Sequence, residues 1–125
     1  MTKQMEKEIA AMHFEEVLRL IDLGASIEHE TEHGHTALTM AAAQGSTALN
    51  HDGEEVLAVV LLLNREDDQP EVDKETSLGL TALSWASRNG HIFVIEALLD
   101  YHAEINRASS KTGETALINA AKNAW

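Results

Sequence analysis

The sequence contains no cysteine and a single proline, Pro70, and aromatic side chains make up only 4% of its 125 residues. The lack of cysteine excludes disulfides, zinc–thiolate centres and cysteine nucleophiles. It is compatible with a reducing compartment. The scarcity of aromatics leaves Ala, Leu, Ile and Val to fill the core. Apolar residues reach 44%, more than a disordered chain carries. Positive charge is also scarce. Nine Lys and Arg stand against 21 Asp and Glu, a net charge of −12. A phosphate backbone or an anionic membrane surface would be repelled, so neither nucleic acid nor membrane is an expected partner. A protein with a basic or neutral surface fits better. Long apolar runs are missing too. The longest, residues 56–63, has eight residues, whereas a membrane span needs about 20. Residues 1–10 mix Lys and Glu with small apolar residues, without the apolar stretch of a signal peptide. The expected location is the cytosol or nucleus.

What the chain does have is internal repetition, the first thing to settle in a sequence because it decides the fold. One pentad occurs three times, as Gly34-His35-Thr36-Ala37-Leu38, Gly79-Leu80-Thr81-Ala82-Leu83 and Gly113-Glu114-Thr115-Ala116-Leu117. The second and third copies are 34 residues apart, the first and second 45. Small residues follow each copy: Ala41 to Ala43, Ala86-Ser87, Ala120-Ala121. A second motif, residues 20–27, reappears at residues 98–105, each time just upstream of a pentad.

The physics of one unit is read from residues 79–106. Gly79 suits a turn that needs positive φ. Thr81 can cap a helix by accepting a free backbone N–H. Leu83 and Ala86 then point inward, and Asn89-Gly90 breaks the helix with glycine at the left-handed cap. Residues 91–100 form a second helix, with Val94, Ile95, Leu98 and Leu99 as an apolar stripe. One unit cannot bury that stripe alone, so units must stack.

This pattern resembles the ankyrin repeat. The period, the Gly-x-Thr-x-Leu start and Arg88-Asn89-Gly90-His91 followed by Val94-Ile95 and Leu98-Leu99 carry the resemblance. It is strongest over residues 79–121 and extends back to about residue 14. It implies an all-α solenoid of stacked helix-turn-helix repeats joined by hairpin loops. The units are expected at residues 1–33 (degenerate), 34–78 (with insertions), 79–112 (regular) and 113–125 (incomplete). The sequence also departs from the family. The usual Thr-Pro-Leu-His becomes Ala at 37, 82 and 116, and Thr39, Ser84 and Ile118 stand at the His position. The family's Thr–His hydrogen bonds are therefore expected to be absent and local stability lower. The turn glycine is Gly24 in the first unit but His102 in the third.

Residues 2–12 are expected as a solvent-facing opening helix, and residues 16–23 as its partner. In the second unit, residues 46–54 lengthen the bend between helices, with a turn at Asn50-His51-Asp52-Gly53 before a helix over residues 56–63. Residues 66–77 then read as an exposed, mobile acidic insertion that tolerates shortening. The array ends one helix into its fourth unit, which implies a fragment or a portion of a longer array, with further repeats or domains beyond Trp125, or else half of an assembly.

Chemistry-bearing motifs are few. His29-Glu30-Thr31-Glu32-His33 fits the His-Glu-x-x-His zinc pattern literally, yet contains nothing apolar and runs into Gly34. A polar hairpin tip is expected there rather than a metal site. The acidic stretch lacks the ligand spacing of a calcium loop. No phosphate loop, serine elbow or triad spacing stands out. Neither an enzyme nor a bound cofactor is expected.

The resemblance implies a protein-binding scaffold whose concave groove is built from hairpin tips and first helices. Carried over position by position, the residues flanking each pentad glycine are His33, His35, Leu78, Leu80, Thr112 and Glu114. The exposed helix ends add Gln44, Arg88, Asn89, Lys122 and Asn123. Trp85 is read mainly as a packing residue between units and secondarily as an interface anchor. Two alternatives stay open: a structural segment of a larger protein or assembly, and the regulatory region of an enzyme whose catalytic domain lies elsewhere.

Overall fold

A computed structural model describes residues 14–32, 34–67 and 69–124. Helix α1 occupies residues 14–22 of this range, and the helix expected over residues 2–12 lies outside the described residues. Five further helices follow: α2 (Ala37–Gln44), α3 (Ala58–Leu63), α4 (Ala82–Asn89), α5 (Ile92–Asp100) and α6 (Ala116–Lys122). A two-stranded hairpin, β1 (Thr47–Leu49) and β2 (Glu55–Leu57), sits between α2 and α3.

The three pentads build the same device. Thr36, Thr81 and Thr115 are the N-caps of α2, α4 and α6, each accepting from the backbone N–H three residues on. Gly45 and Gly90 close α2 and α4 in the left-handed conformation, as their lack of a Cβ allows. The family's Thr–His bond, expected to be lost, is replaced in two units. Thr39 Oγ1 accepts from the Thr36 backbone N–H at 2.9 Å, completing a capping box. In the next unit the Thr81 hydroxyl donates to Ser84 Oγ at 3.3 Å. A short hydroxyl thus stands in for the imidazole in these two units, and Ile118 offers no such group.

The helices pack in two rows. Helices α2, α4 and α6 pack side by side, and α3 packs on α5; within units α2 meets α3, and α4 meets α5. Alanine makes the close approach possible. Ala41, Ala42 and Ala86 are completely buried. The predicted stripe of α5 is partly covered: Val94 and Leu98 are buried, Ile95 and Leu99 half-buried, while Phe93 remains 74% exposed. His102 stands in the left-handed region at φ 68, where the first unit has Gly24.

Two expectations are corrected. First, the helix over residues 56–63 begins only at Ala58. Val56 and Leu57 belong to β2, paired with Ala48 and Thr47. The run of apolar residues fits either period, and the turn decides: Asn50 Oδ1 accepts from the backbone N–H groups of Asp52 and Glu54, both at 2.9 Å. That closed turn brings β2 back onto β1, and Ala48 is buried beneath.

Second, residues 66–77 are not one exposed insertion. Glu66 and Asp67 are exposed, but Pro70 and Thr76 are buried. Residues 71–80 form a hairpin equivalent to residues 28–35 and 104–114. Thr31, Thr76 and Ser109 start the three turns, their carbonyls accepting from Gly34, Gly79 and Gly113 at 2.9 Å each. Carboxylates then tie each hairpin to the next. Glu28 accepts from the Glu71 N–H at 2.9 Å and Asp73 from the Glu104 N–H at 3.2 Å. Glu75 accepts from the Ser110 N–H at 2.8 Å and also from its hydroxyl. Lys74 meets Glu30 at 2.7 Å and Glu28 at 3.6 Å. Within the acidic stretch, Asp73 and Glu75 thus serve as acceptors for backbone donors of the next hairpin.

This wiring has a pH signature. The Ser110 hydroxyl, and then its N–H, hold the Glu75 carboxyl below its ordinary value of 4.5. A carboxyl with a depressed folded-state pKa stabilises the fold fully above its unfolded value, and that contribution is lost as pH falls through the folded one. Below about pH 4.5 the wild type should therefore lose stability more steeply than Glu75→Gln. Urea midpoints of both proteins, followed from neutral pH into acid, check this. Parallel curves would show that the bond to Ser110 adds nothing. The effect is small, because exposed carboxylates are well screened.

Candidate functional site

The inner row α2–α4–α6 has an unusual charge content. None of its residues is acidic, and Arg88 and Lys122 are its only charges. The 21 acids of the chain are thus all placed elsewhere. The pentad offsets put Met40, Trp85 and Asn119 at one equivalent position of the three helices. Met40 is 38% exposed, Trp85 half-buried and Asn119 buried.

Trp85 is the centre of a small cluster. The His35 ring, from the preceding hairpin, lies 5.1 Å from it between centroids, tilted by 43°. The Arg88 guanidinium, one turn along α4, lies 5.7 Å from the ring centroid. That distance supports a cation–π attraction of about 0.5–1 kcal/mol at an exposed site. His35 is itself held by Thr39, whose hydroxyl is 3.4 Å from Nδ1. Trp85 Nε1 is buried and has no hydrogen-bond partner among the described residues. Trp85 thus packs between units, and its indole N–H is left unpaired among the described residues.

The other candidates divide. Leu78 is 56% exposed at the tip of its hairpin. Leu80 is not a surface residue: it is 5% exposed, and its carbonyl accepts from the Thr76 N–H at 2.7 Å. The tight turn leaves Leu80 buried, which a sequence offset cannot reveal. Gln44 accepts from the Ser46 hydroxyl at 3.1 Å. Asn89 Nδ2 donates to the Ala43 carbonyl at 2.7 Å, and a ring nitrogen of His91 lies 3.0 Å from the same oxygen, so these two finish the end of α2. Glu114 and Lys122 neutralise each other at 3.0 Å. Asn123 Nδ2 donates to the Asn119 carbonyl at 3.1 Å. Thr112 is exposed. His33 lies outside the described residues. The structure thus brings together His35, Trp85 and Arg88, with Leu78 exposed on its hairpin tip. Met40 and Ile118, 43% exposed, were missed. Met40 shares the register of Trp85, which is the signal that marks it; Ile118 has none, since Thr39 and Ser84 in its register are buried.

Residues 29–32 are not helical, so the one-turn spacing that a His-Glu-x-x-His zinc site needs is not built there. Glu30, its would-be base, pairs with Lys74. Among the described residues no three His, Asp or Glu converge as a metal site. No helix among them is long and apolar enough to cross a membrane.

Stacked helix pairs, threonine-capped inner helices and serially linked hairpins define a helical repeat protein. A family model for ankyrin repeats, in three copies, matches residues 48–124, more than half of the chain. The chain belongs to the ankyrin repeat family. Such repeats serve in general as protein–protein interaction modules rather than catalysts. No curated protein matches the chain.

Proposed function

We propose that this chain is a non-catalytic binding module that seats a protein partner along the α2–α4–α6 row, with Trp85 and Arg88 as anchors. The cluster of Trp85 with Arg88 and His35, on a row whose helices contribute no acidic residue, carries the reading. Trp and Arg are also the residue types that dominate binding energy. The exposed Met40, Leu78 and Ile118 add apolar area around them. With the acids excluded from this row, the strip at its centre suits an apolar stretch of the partner. Basic flanks on that partner would meet the acidic surroundings. The expected setting is the cytosol.

Affinity measurements on a captured partner test this. Arg88→Ala should weaken binding by about 1–3 kcal/mol. Leu78→Glu should weaken it too, by placing a charge where apolar surface is desolvated. Leu80 is unsuitable for such a test, since a charge there would unfold the hairpin. Unchanged affinity in both variants would remove the inner row as the binding face.

A further inference from the structure

We propose that the cleft between α1, α3 and the β1–β2 hairpin is a second docking site, which takes a basic, amphipathic segment of a protein partner. It is an open cleft of about 570 Å³, on the side of the molecule formed by the outer helices. Leu18 of α1, Leu61 of α3 and Leu49 of β1 supply its apolar surface, and Asp22, Glu66 and Asp67 supply carboxylates. Leu18 and Leu61 are half-buried, whereas Leu49 is 52% exposed and the three acids are exposed.

The way the cleft is assembled makes it more than a gap. The second unit is 45 residues from pentad to pentad where the third is 34. The surplus falls in two separate places, the β1–β2 hairpin and the segment after α3. Both converge here: Leu49, Asn50 and His51 come from one, and Arg65, Glu66 and Asp67 from the other. Leu49 is anchored over α1, its N–H donating to Glu15 at 3.4 Å. A regular unit has neither wall.

Charge selects the occupant. One guanidinium is already accommodated, since Arg65 binds Asp22 at 2.8 Å. Three carboxylates against that one cation leave the lining net negative. Arginine and lysine side chains lay an alkyl stem on apolar surface while their heads reach carboxylates, and the leucines lie beside the acids in just that order. A second copy of this chain would bring another −12 against an acidic face and is disfavoured. This site is independent of the inner row, so either can fail alone.

The test is a titration of the full-length, isotope-labelled chain with a short synthetic peptide in which leucine and arginine alternate, followed by amide chemical shifts. The largest shifts should fall at residues 18, 49–51, 61 and 64–67. The double variant Glu66→Gln with Asp67→Asn should weaken binding about fivefold, as two exposed charge pairs warrant. Leu49→Ala should weaken it about threefold or more through lost apolar contact. A charge-matched control on α5, Glu96→Gln with Asp100→Asn, should change affinity less than about twofold. These substitutions are all on exposed side chains, and an unchanged spectral dispersion confirms the fold. Equal loss in the control would mean that general charge, not the cleft, holds the peptide. Shifts centred on Trp85, or affinity indifferent to Leu49 and Glu66, would overturn the proposal as well.

Discussion

Leu98→Ala should destabilise the array by about 2–5 kcal/mol, the range for deleting a leucine from a rigid core. Leu98 is completely buried on α5, the helix that contacts both α4 of its own unit and α3 of the preceding one. Its loss would be felt in two units at once. The surroundings cannot close over the void. Ala86 and Ala97 belong to the same core, and alanine has no rotamer by which to fill space. For a chain of this size the midpoint of thermal unfolding should drop by roughly 10 °C or more. Leu117→Ala is the control, since Leu117 is 77% exposed and should change stability by under about 0.5 kcal/mol. Denaturant unfolding followed by circular dichroism reads both. A loss under about 1 kcal/mol at Leu98 would show that α5 is not held by this stripe.

A smaller side chain has the second large effect. Gly34→Ala should destabilise by about 2–4 kcal/mol, combining left-handed strain with a steric collision. Gly34 has φ +76, and a Cβ there would stand 2.5 Å from the backbone nitrogen of Ser77 and 3.1 Å from its Cβ. A backbone atom cannot rotate away, so the hairpin of residues 71–80 would have to move as a body. Gly113 separates the two causes. It occupies the same pentad position with φ +72, yet nothing lies within 4 Å of its would-be Cβ. Gly113→Ala should therefore show the strain alone, about 1–2 kcal/mol. Equal losses in the two variants would mean that the hairpins do not abut as described.

The parts of the fold that were legible in the sequence are those set by local rules. Thr36, Thr81 and Thr115 announce helix starts because a cap needs only a hydroxyl at the right offset. Gly90 announces a helix end for the same kind of reason. What could not be read depends on residues distant in sequence. Glu28, Asp73 and Glu75 look like solvated acids until the next hairpin presents its N–H groups, 31 to 43 residues away. Leu80 looks like a tip residue until the turn buries it. The site was half visible: Trp85 and Arg88 are neighbours on one helix, but His35 joins them only because consecutive units stack. The hairpin of β1 and β2 was hidden because strands of three residues carry too little period to outweigh an apolar run.

The separation of charge between the inner row and the rest of the molecule has a kinetic meaning. At about 8–10 Å, the screening length at physiological salt, an approaching molecule senses the net acidity of the whole surface. Only at contact does it sense the row, whose helices contribute no acidic residue and whose one flanking carboxylate, Glu114, is paired with Lys122. For a partner seated there, the speed of encounter and the lifetime of the complex are governed by different residues. The peripheral acids would set how often productive collisions occur, and rising ionic strength would slow them. Trp85 and its neighbours would set how long the complex lasts, with little regard to salt.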